Sequence, residues 1–168
     1  MAIADVLRAM NTLKRRRVIQ DYLVFGSVAA MLYTRPFATE DVDIGIAVAS
    51  DAEYRRAFQA LREFGSVRGF GVVINDTPVE VFPVDISPII QDALTHAPRK
   101  RVAGALVKVA PPEHLLLEAL RVYRRADNAR VFLLAGVVPR ARLRAALRRL
   151  DHDGTLRRRY EELVGEAP

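Results

Sequence analysis

The stretch over residues 22–48 constrains the fold most, because it prescribes a strand, a sharp turn, a helix and a second strand in close succession. The apolar run at 23–25 predicts a buried strand that ends at Gly26-Ser27. The residues after Ser27 are small and apolar, as in a buried helix. The chain is therefore predicted to turn at Gly-Ser from a strand directly into a helix.

Two aspartates open the second strand of this stretch. Apolar side chains alternate over residues 41–48, which places Asp41 and Asp43 together on the opposite face. Their Cα atoms would be roughly 6.5–7 Å apart, and like charges at such a distance repel unless a cation lies between them. A divalent metal is the natural partner, and magnesium combines a few carboxylates with substrate phosphates. The amides and hydroxyl of Gly26-Ser27 are suited to hold those phosphates.

A later hairpin offers a third carboxylate. Strands are predicted over 70–74 and 79–82, separated by a turn of polar residues and proline. Valines flank Glu80 on both sides, so Glu80 faces away from the apolar side and joins the aspartates if its strand neighbours theirs. Asp85 is the alternative third carboxylate. Pro83 lies between Glu80 and Asp85 and cannot donate a hydrogen bond to a sheet, so the strand is expected to end there, which favours Glu80.

These motifs resemble the nucleotidyltransferase superfamily of the polymerase-beta type. Phe25-Gly26-Ser27 and Asp41-Val42-Asp43-Ile44 fill the positions of its signature, which pairs a Gly-Ser turn with an Asp-x-Asp strand. Within the spacer, Arg35 and Thr39 look like the Arg and Thr that precede the aspartates in the AbiEii-type toxin branch and its small bacterial relatives. The superfamily completes its metal site with an acidic residue on a later strand, as Glu80 would.

The resemblance implies a magnesium-dependent enzyme that transfers a nucleoside monophosphate from a nucleoside triphosphate to a hydroxyl of RNA, such as a tRNA-like end, or of protein. A toxin–antitoxin role is one setting for it. The expected metal and catalytic residues, for two Mg²⁺ ions, are Asp41, Asp43 and Glu80. The expected nucleotide-binding residues are Gly26, Ser27, Arg35 and Thr39, with Arg35 as a clamp for phosphate or acceptor. The alternative is a catalytically inactive nucleotide-binding or regulatory partner protein of the same fold.

The predicted fold is α+β, with a mixed sheet of four or five strands flanked by helices. We expect a nucleotidyltransferase core over residues 1–110, ending in a strand over 102–110, and a helical C-terminal extension over 111–168. Relatives often carry a Lys in the first helix of that extension, where this chain has Glu118. Asp127 is predicted to cap the following helix.

Composition restricts the classes of partner. No run of 18 uncharged apolar residues is present, so no membrane partner is expected, and the absence of Cys suits the reducing cytoplasm. The net charge of +6, much of it from arginines late in the chain, is compatible either with nucleic-acid binding or with a solvated surface. His96 and His114 look isolated, and His152 falls in a predicted surface turn.

Overall fold

The first half of the chain is built around a mixed β-sheet. The computed structural model describes residues 2–69 and 71–168. The helices are α1 (Ile3–Arg15), α2 (Gly26–Ala30), α3 (Asp51–Leu61), α4 (Pro88–His96), α5 (Pro112–Val122), α6 (Asn128–Ala135), α7 (Arg140–Leu150) and α8 (Thr155–Val164). The strands are β1 (Asp21–Val24), β2 (Val42–Ala47), β3 (Ser66–Arg68), β4 (Gly71–Ile74), β5 (Thr77–Pro83), β6 (Arg99–Val102) and β7 (Ala105–Lys108). Short 3-10 helices, Val84–Ile86 and Arg125–Asp127, precede α4 and α6.

Five strands form the central sheet in the order β1-β2-β5-β4-β3. Strands β2 and β5 run parallel, whereas the other neighbours in this sheet are antiparallel. A parallel pair requires a long crossover, which α3, β3 and β4 supply here. The alternation predicted for β2 holds, since Val42, Ile44 and Ile46 are buried. This architecture confirms the predicted α+β class with a mixed sheet flanked by helices.

The predicted hairpin is present as β4 and β5. Its turn consists of Asn75 and Asp76, which both adopt the left-handed backbone conformation, with φ of 45° and 59°. Asn and Asp tolerate this conformation better than most residues, and it matches the twist of a two-residue hairpin. Phe70, predicted to begin the first strand, lies outside the described residues.

The single strand predicted over residues 102–110 is wrong in its extent. The chain forms instead a separate two-stranded hairpin, β6 and β7. Ala103 and Gly104, with φ of 45° and 85°, make the turn between them. An isolated parallel bridge between Val24 and Val109 then connects the end of this segment to β1.

Helix α5 joins the sheet region to the C-terminal helices. Every residue from Pro112 to Leu120 is buried, including Glu113, His114 and Glu118. The helix packs against α2 and α4 as well as against α6, α7 and α8. A helix buried all round is typical of a position at the centre of a fold. The division into a core over 1–110 and an extension over 111–168 stays a prediction.

The helices of the described residues are all too short or too polar to cross a membrane.

Candidate active site

Three carboxylates converge beside the parallel strand pair β2 and β5, near the start of β2. Asp43 on β2 is the register partner of Glu80 on β5, so both side chains leave the sheet side by side. Asp41 comes just before β2, and one oxygen of each of the three carboxylates lies within 4.8 Å of the others. Asp41 and Asp43 are partly buried and Glu80 is exposed, so the group is open to solvent on one side.

Asp85 lies outside this group. It belongs to the 3-10 helix Val84–Ile86, is exposed, and follows Pro83, where β5 ends. Of the two acids that the sequence left open, Glu80 is the one that the structure places beside the aspartates. Its role as a metal ligand stays a prediction.

The start of α2 presses directly against Asp43. Gly26 has a φ of +58°, and a Cβ atom built on it would lie 1.6 Å from the Asp43 Oδ2 atom. The Phe25 backbone N–H donates to the Asp43 carbonyl oxygen at 2.9 Å, which holds the turn against β2. Only glycine combines this backbone conformation with such a close approach. The Gly-Ser turn and the aspartate strand are therefore in contact, as their order in the sequence predicts.

The carboxyl group of Asp43 is poorly suited to carry its charge alone. Burial raises the pKa of Asp43 to about 6, and repulsion from Asp41 and Glu80 adds to this shift. The Arg130 charge and a hydrogen bond from the Ser27 backbone N–H lower the pKa and oppose it. A bound cation would relieve the repulsion that remains among the three carboxylates.

This pKa shift predicts how Asp43→Asn changes stability with pH. Because the pKa is raised above the unfolded value of 3.8, ionised Asp43 destabilises the folded state. This destabilisation is absent at a pH below the pKa of Asp43 in the unfolded state. It is fully present at a pH above the pKa of Asp43 in the folded state. We therefore expect Asp43→Asn to be more stable than the wild type at about pH 8, by up to about 3 kcal/mol, and to melt at a higher temperature. Near pH 4 the melting temperatures of the two proteins should converge. Thermal unfolding in EDTA across this range is the measurement. A difference in melting temperature that does not vary with pH would contradict the account.

Arg130 on α6 is a site residue that the sequence analysis missed. One terminal nitrogen of its guanidinium donates to Ser27 Oγ at 3.1 Å, and the other donates to Asp127 Oδ1 at 2.9 Å. Arg124 donates to the second oxygen of Asp127 at 3.0 Å. Arg124, Asp127 and Arg130 follow one another at i,i+3 spacing, which predicts their contact with one another but not the contact of Arg130 with Ser27. Two arginines are thus fixed near the Gly-Ser turn.

The predicted cap role of Asp127 is wrong in its chemistry. Asp127 does occupy the position before α6, but its side chain caps no backbone amide of that helix. Both carboxylate oxygens accept hydrogen bonds from arginines instead. Two charge-assisted arginine contacts outweigh a single amide bond for a carboxylate that is largely buried.

The two predicted spacer residues occupy different environments. Thr39 lies beside the cluster, where its hydroxyl donates to the Asp41 carbonyl oxygen at 3.3 Å and to the Asp41 carboxylate at 3.2 Å. It therefore orients Asp41. Arg35 is exposed, and within the described chain its side chain makes no hydrogen bond or ion pair with the acidic cluster. Its role as a clamp stays a prediction.

A cavity of about 290 Å³ opens beside Asp43 and Glu80. Its apolar wall is formed by Phe25, Phe82, Ile86, Ile90, Leu115 and Val122. Its polar wall includes Arg121, Arg124, Arg130 and Glu118. The Glu118 carboxylate accepts from Ser87 Oγ at 2.8 Å and from Arg121 at 2.9 and 2.7 Å, so its charge is already neutralised. The cavity therefore combines an apolar surface, three arginines and an acidic cluster.

The donor set of the acidic cluster fits a magnesium ion. All its ligand atoms would be carboxylate oxygens, which hard divalent cations prefer, and the exposed side leaves room for water and phosphate oxygens. Phosphates placed there would also meet Ser27 and Arg130. The arrangement can hold a metal–triphosphate complex next to an apolar cavity.

Comparison of the sequence with protein-family models and with curated proteins finds no match. Solved structures are similar in fold. The crystal structure of ANT(2'')-Ia in complex with adenylyl-2''-tobramycin aligns with a TM-score of 0.62 at 12% identity, over 95% of this chain and 99% of the other. The solution structure of the antibiotic-resistance factor ANT(2'')-Ia gives 0.61 at 13% identity, over 98% and 97% of the chains. An antigenic nucleotidyltransferase-like protein from Paracoccidioides brasiliensis gives 0.58 at 21% identity, over 98% and 95%. The chain therefore has the fold of the nucleotidyltransferases.

Proposed function

We propose that this protein is a metal-dependent nucleotidyltransferase, which transfers a nucleoside monophosphate from a nucleoside triphosphate to an acceptor hydroxyl. One observation carries the proposal: Asp41, Asp43 and Glu80 each bring a carboxylate oxygen within 4.8 Å of the others, and Gly26 lies directly against Asp43. Like charges so placed are costly without a cation, and their repulsion adds to the burial that raises the pKa of Asp43. The fold shared with nucleotidyltransferases supports the same conclusion.

Asp41, Asp43 and Glu80 would hold the metal, for which we propose two Mg²⁺ ions. When bound, magnesium would neutralise charge on the leaving pyrophosphate and lower the pKa of the attacking hydroxyl. Thr39 keeps the Asp41 carboxylate oriented through its hydrogen bond. The protein's own contribution is thus to fix the carboxylates before the substrate arrives.

Ser27 and Arg130 would bind the β- and γ-phosphates. Their side chains are hydrogen-bonded to each other at 3.1 Å, and Asp127 holds the guanidinium in place. Because a guanidinium binds phosphate oxygens in a planar, bidentate way, Arg130 is well suited to align a triphosphate. Arg124, on the other side of Asp127, lines the same cavity and would add positive charge.

The acceptor is proposed to be a hydroxyl of an RNA end, such as a tRNA-like end, or of a protein. We propose that the reaction takes place in the cytoplasm, as part of a toxin–antitoxin system like those of the AbiEii branch. The positive net charge supports an RNA acceptor. One structural neighbour was solved with adenylyl-2''-tobramycin, so a small-molecule hydroxyl belongs among the acceptors to be tested.

Transfer of labelled phosphate tests the proposal. The protein is incubated with magnesium, cell extract and each nucleoside triphosphate in turn, labelled either at the α- or at the γ-phosphate. Nucleotidyl transfer predicts that the acceptor acquires the α-label, while the γ-label leaves with the pyrophosphate. Digestion with ribonuclease or protease then identifies the class of acceptor. Transfer of γ-label instead would identify a phosphotransferase and contradict the proposal.

A catalytically inactive nucleotide-binding or regulatory partner is the second candidate. Glu118 favours it, because this acid lines the cavity and stands near the place in the first C-terminal helix where relatives often carry a Lys. Its pairing with Arg121 nevertheless removes the repulsion it would exert on phosphates. Magnesium-dependent triphosphate binding without any transfer of α-label would select this candidate.

A further inference from the structure

Helices α4 and α5 bring together three metal-binding side chains away from the acidic cluster. Asp92 and His96 lie one turn apart on α4, and His114 lies in the first turn of α5. The two imidazole rings stack with centroids 5.9 Å apart, and one ligand atom from each of the three residues lies within 4.8 Å of the others. The isolation predicted for His96 and His114 is therefore wrong, since helix packing supplies the proximity that their sequence spacing lacks.

Two buried polar atoms next to this group have no hydrogen-bond partner in the described part of the chain. His114 is 1% exposed, and its Nε2 atom lies 2.7 Å from Asp92 Oδ2, to which it donates. In that tautomer the Nδ1 atom of His114 carries only a lone pair. It faces Glu113 Oε1 at 4.0 Å, an acceptor facing an acceptor. Among the described residues, neither His114 Nδ1 nor Glu113 Oε2 has a hydrogen-bond partner.

Coordination of a metal by His114 Nε2 would remove this mismatch. Nε2 must give up its proton to become a ligand, and the ring proton then resides on Nδ1. That proton points toward the Glu113 carboxylate, which Arg142 already holds at 2.8 Å. Ligating histidines usually donate their second ring N–H to a carboxylate in this way.

We propose that Asp92, His96 and His114 form a binding site for a transition-metal ion of the zinc class. Two imidazoles and one carboxylate suit Zn²⁺, and they leave a fourth position for water. Magnesium, by contrast, prefers oxygen ligands alone. The side chains of His96 and Asp92 are 49% and 21% exposed, so an ion can enter from solvent. This site does not depend on the proposed nucleotidyl transfer.

Arg149 competes with the metal for Asp92. Its guanidinium donates to the same Oδ2 atom at 2.7 Å, where it provides the positive charge that an ion would supply. The Arg149 side chain is 43% exposed and can move into solvent when a metal arrives. Removal of Arg149 should therefore strengthen metal binding.

A bound ion would connect α4 to α5. Ile90 on α4 and Leu115 on α5 both line the cavity beside Asp43. The proposed metal would therefore stabilise two walls of that cavity without contacting its contents.

Titration with Co²⁺ tests the site. The full chain is stripped with EDTA and supplied with excess magnesium to occupy the acidic cluster, and Co²⁺ is added while visible absorption is recorded. We expect one equivalent of Co²⁺ to give the intense visible bands of a four-coordinate site. Added Zn²⁺ should then displace the Co²⁺ and abolish these bands. His96→Ala should weaken binding at least about tenfold. His96 is used because it is exposed, whereas replacement of the buried His114 could disturb folding.

Matched controls separate this site from general cation binding. His152→Ala removes a histidine in an exposed turn and should leave the titration unchanged. Arg149→Ala should tighten binding, while Arg148→Ala makes the same charge change next to it and should not. Absence of the four-coordinate spectrum would overturn the proposal. Equal behaviour of His96→Ala and wild type would do so as well, as would equal tightening by the two arginine variants.

Discussion

Asp43→Asn is expected to reduce nucleotidyl transfer on the order of a thousandfold, about 4 kcal/mol of transition-state stabilisation. Asp43 belongs to the cluster with Asp41 and Glu80 and is the register partner of Glu80. Its replacement leaves the metal with too little negative charge and moves the triphosphate out of line. The loss should appear in kcat/KM, which reports transition-state stabilisation relative to the free enzyme and substrate.

Asp85→Asn is the matched control for this prediction. It removes the same charge at an exposed position beyond the end of β5, outside the cluster. Its transfer rate should stay within about twofold of wild type. A similar loss in both variants would show that general charge, and not the cluster, supports the reaction.

Gly26→Ala is expected to have the second largest effect, a loss of transfer of about a hundredfold or more together with lower stability. The new methyl group would meet Asp43 Oδ2 at 1.6 Å, so the carboxylate or the turn must shift to make room for it. A displacement of about 1 Å in a reactive group costs about a hundredfold in rate. The left-handed backbone adds about 1–2 kcal/mol of strain to the folded state.

Gly69→Ala separates the two effects that are combined in Gly26→Ala, namely the strain of the left-handed backbone and the collision with Asp43. Gly69 has the same φ of +58°, but no atom of the described chain lies within 4 Å of the position that an added Cβ would take. Gly69→Ala should therefore lose about 1–2 kcal/mol of stability and keep its activity. Wild-type activity in Gly26→Ala would contradict the claim that this turn fixes Asp43.

The sequence predicted the acidic cluster because its determinants are local. Alternation with period two places Asp41 and Asp43 on one face, and the same parity turns Glu80 away from the apolar side. Glu80 reaches the two aspartates only if β5 lies next to β2, and the local sequence pattern does not determine which strands are neighbours. The structure meets that condition through the parallel register of Asp43 with Glu80.

Features that depend on tertiary contact were missed. Arg130 reaches Ser27 across 103 residues of sequence, and no local signal indicates that contact. His96 and His114 meet only because α4 packs against α5. The largely apolar pattern over residues 102–110 predicts one strand, because it does not mark the left-handed turn at Ala103-Gly104 that separates β6 from β7. Long-range packing, which sequence periodicity does not encode, accounts for the missed arginine and histidine contacts.

The stabilisation of the protein by magnesium and nucleoside triphosphate tests the central claim most directly, because it needs no knowledge of the acceptor. Thermal unfolding is measured with each triphosphate, with and without magnesium, for wild type and for Asp41→Asn, Asp43→Asn and Glu80→Gln. At about 100 times the dissociation constant a bound ligand adds about 2.7 kcal/mol, several degrees for a chain of this size. We predict such a shift in the wild type with at least one triphosphate, only when magnesium is present, and little or none in the three variants. Equal shifts in all four proteins, or no shift in the wild type with any triphosphate, would contradict a magnesium–triphosphate site at Asp41, Asp43 and Glu80.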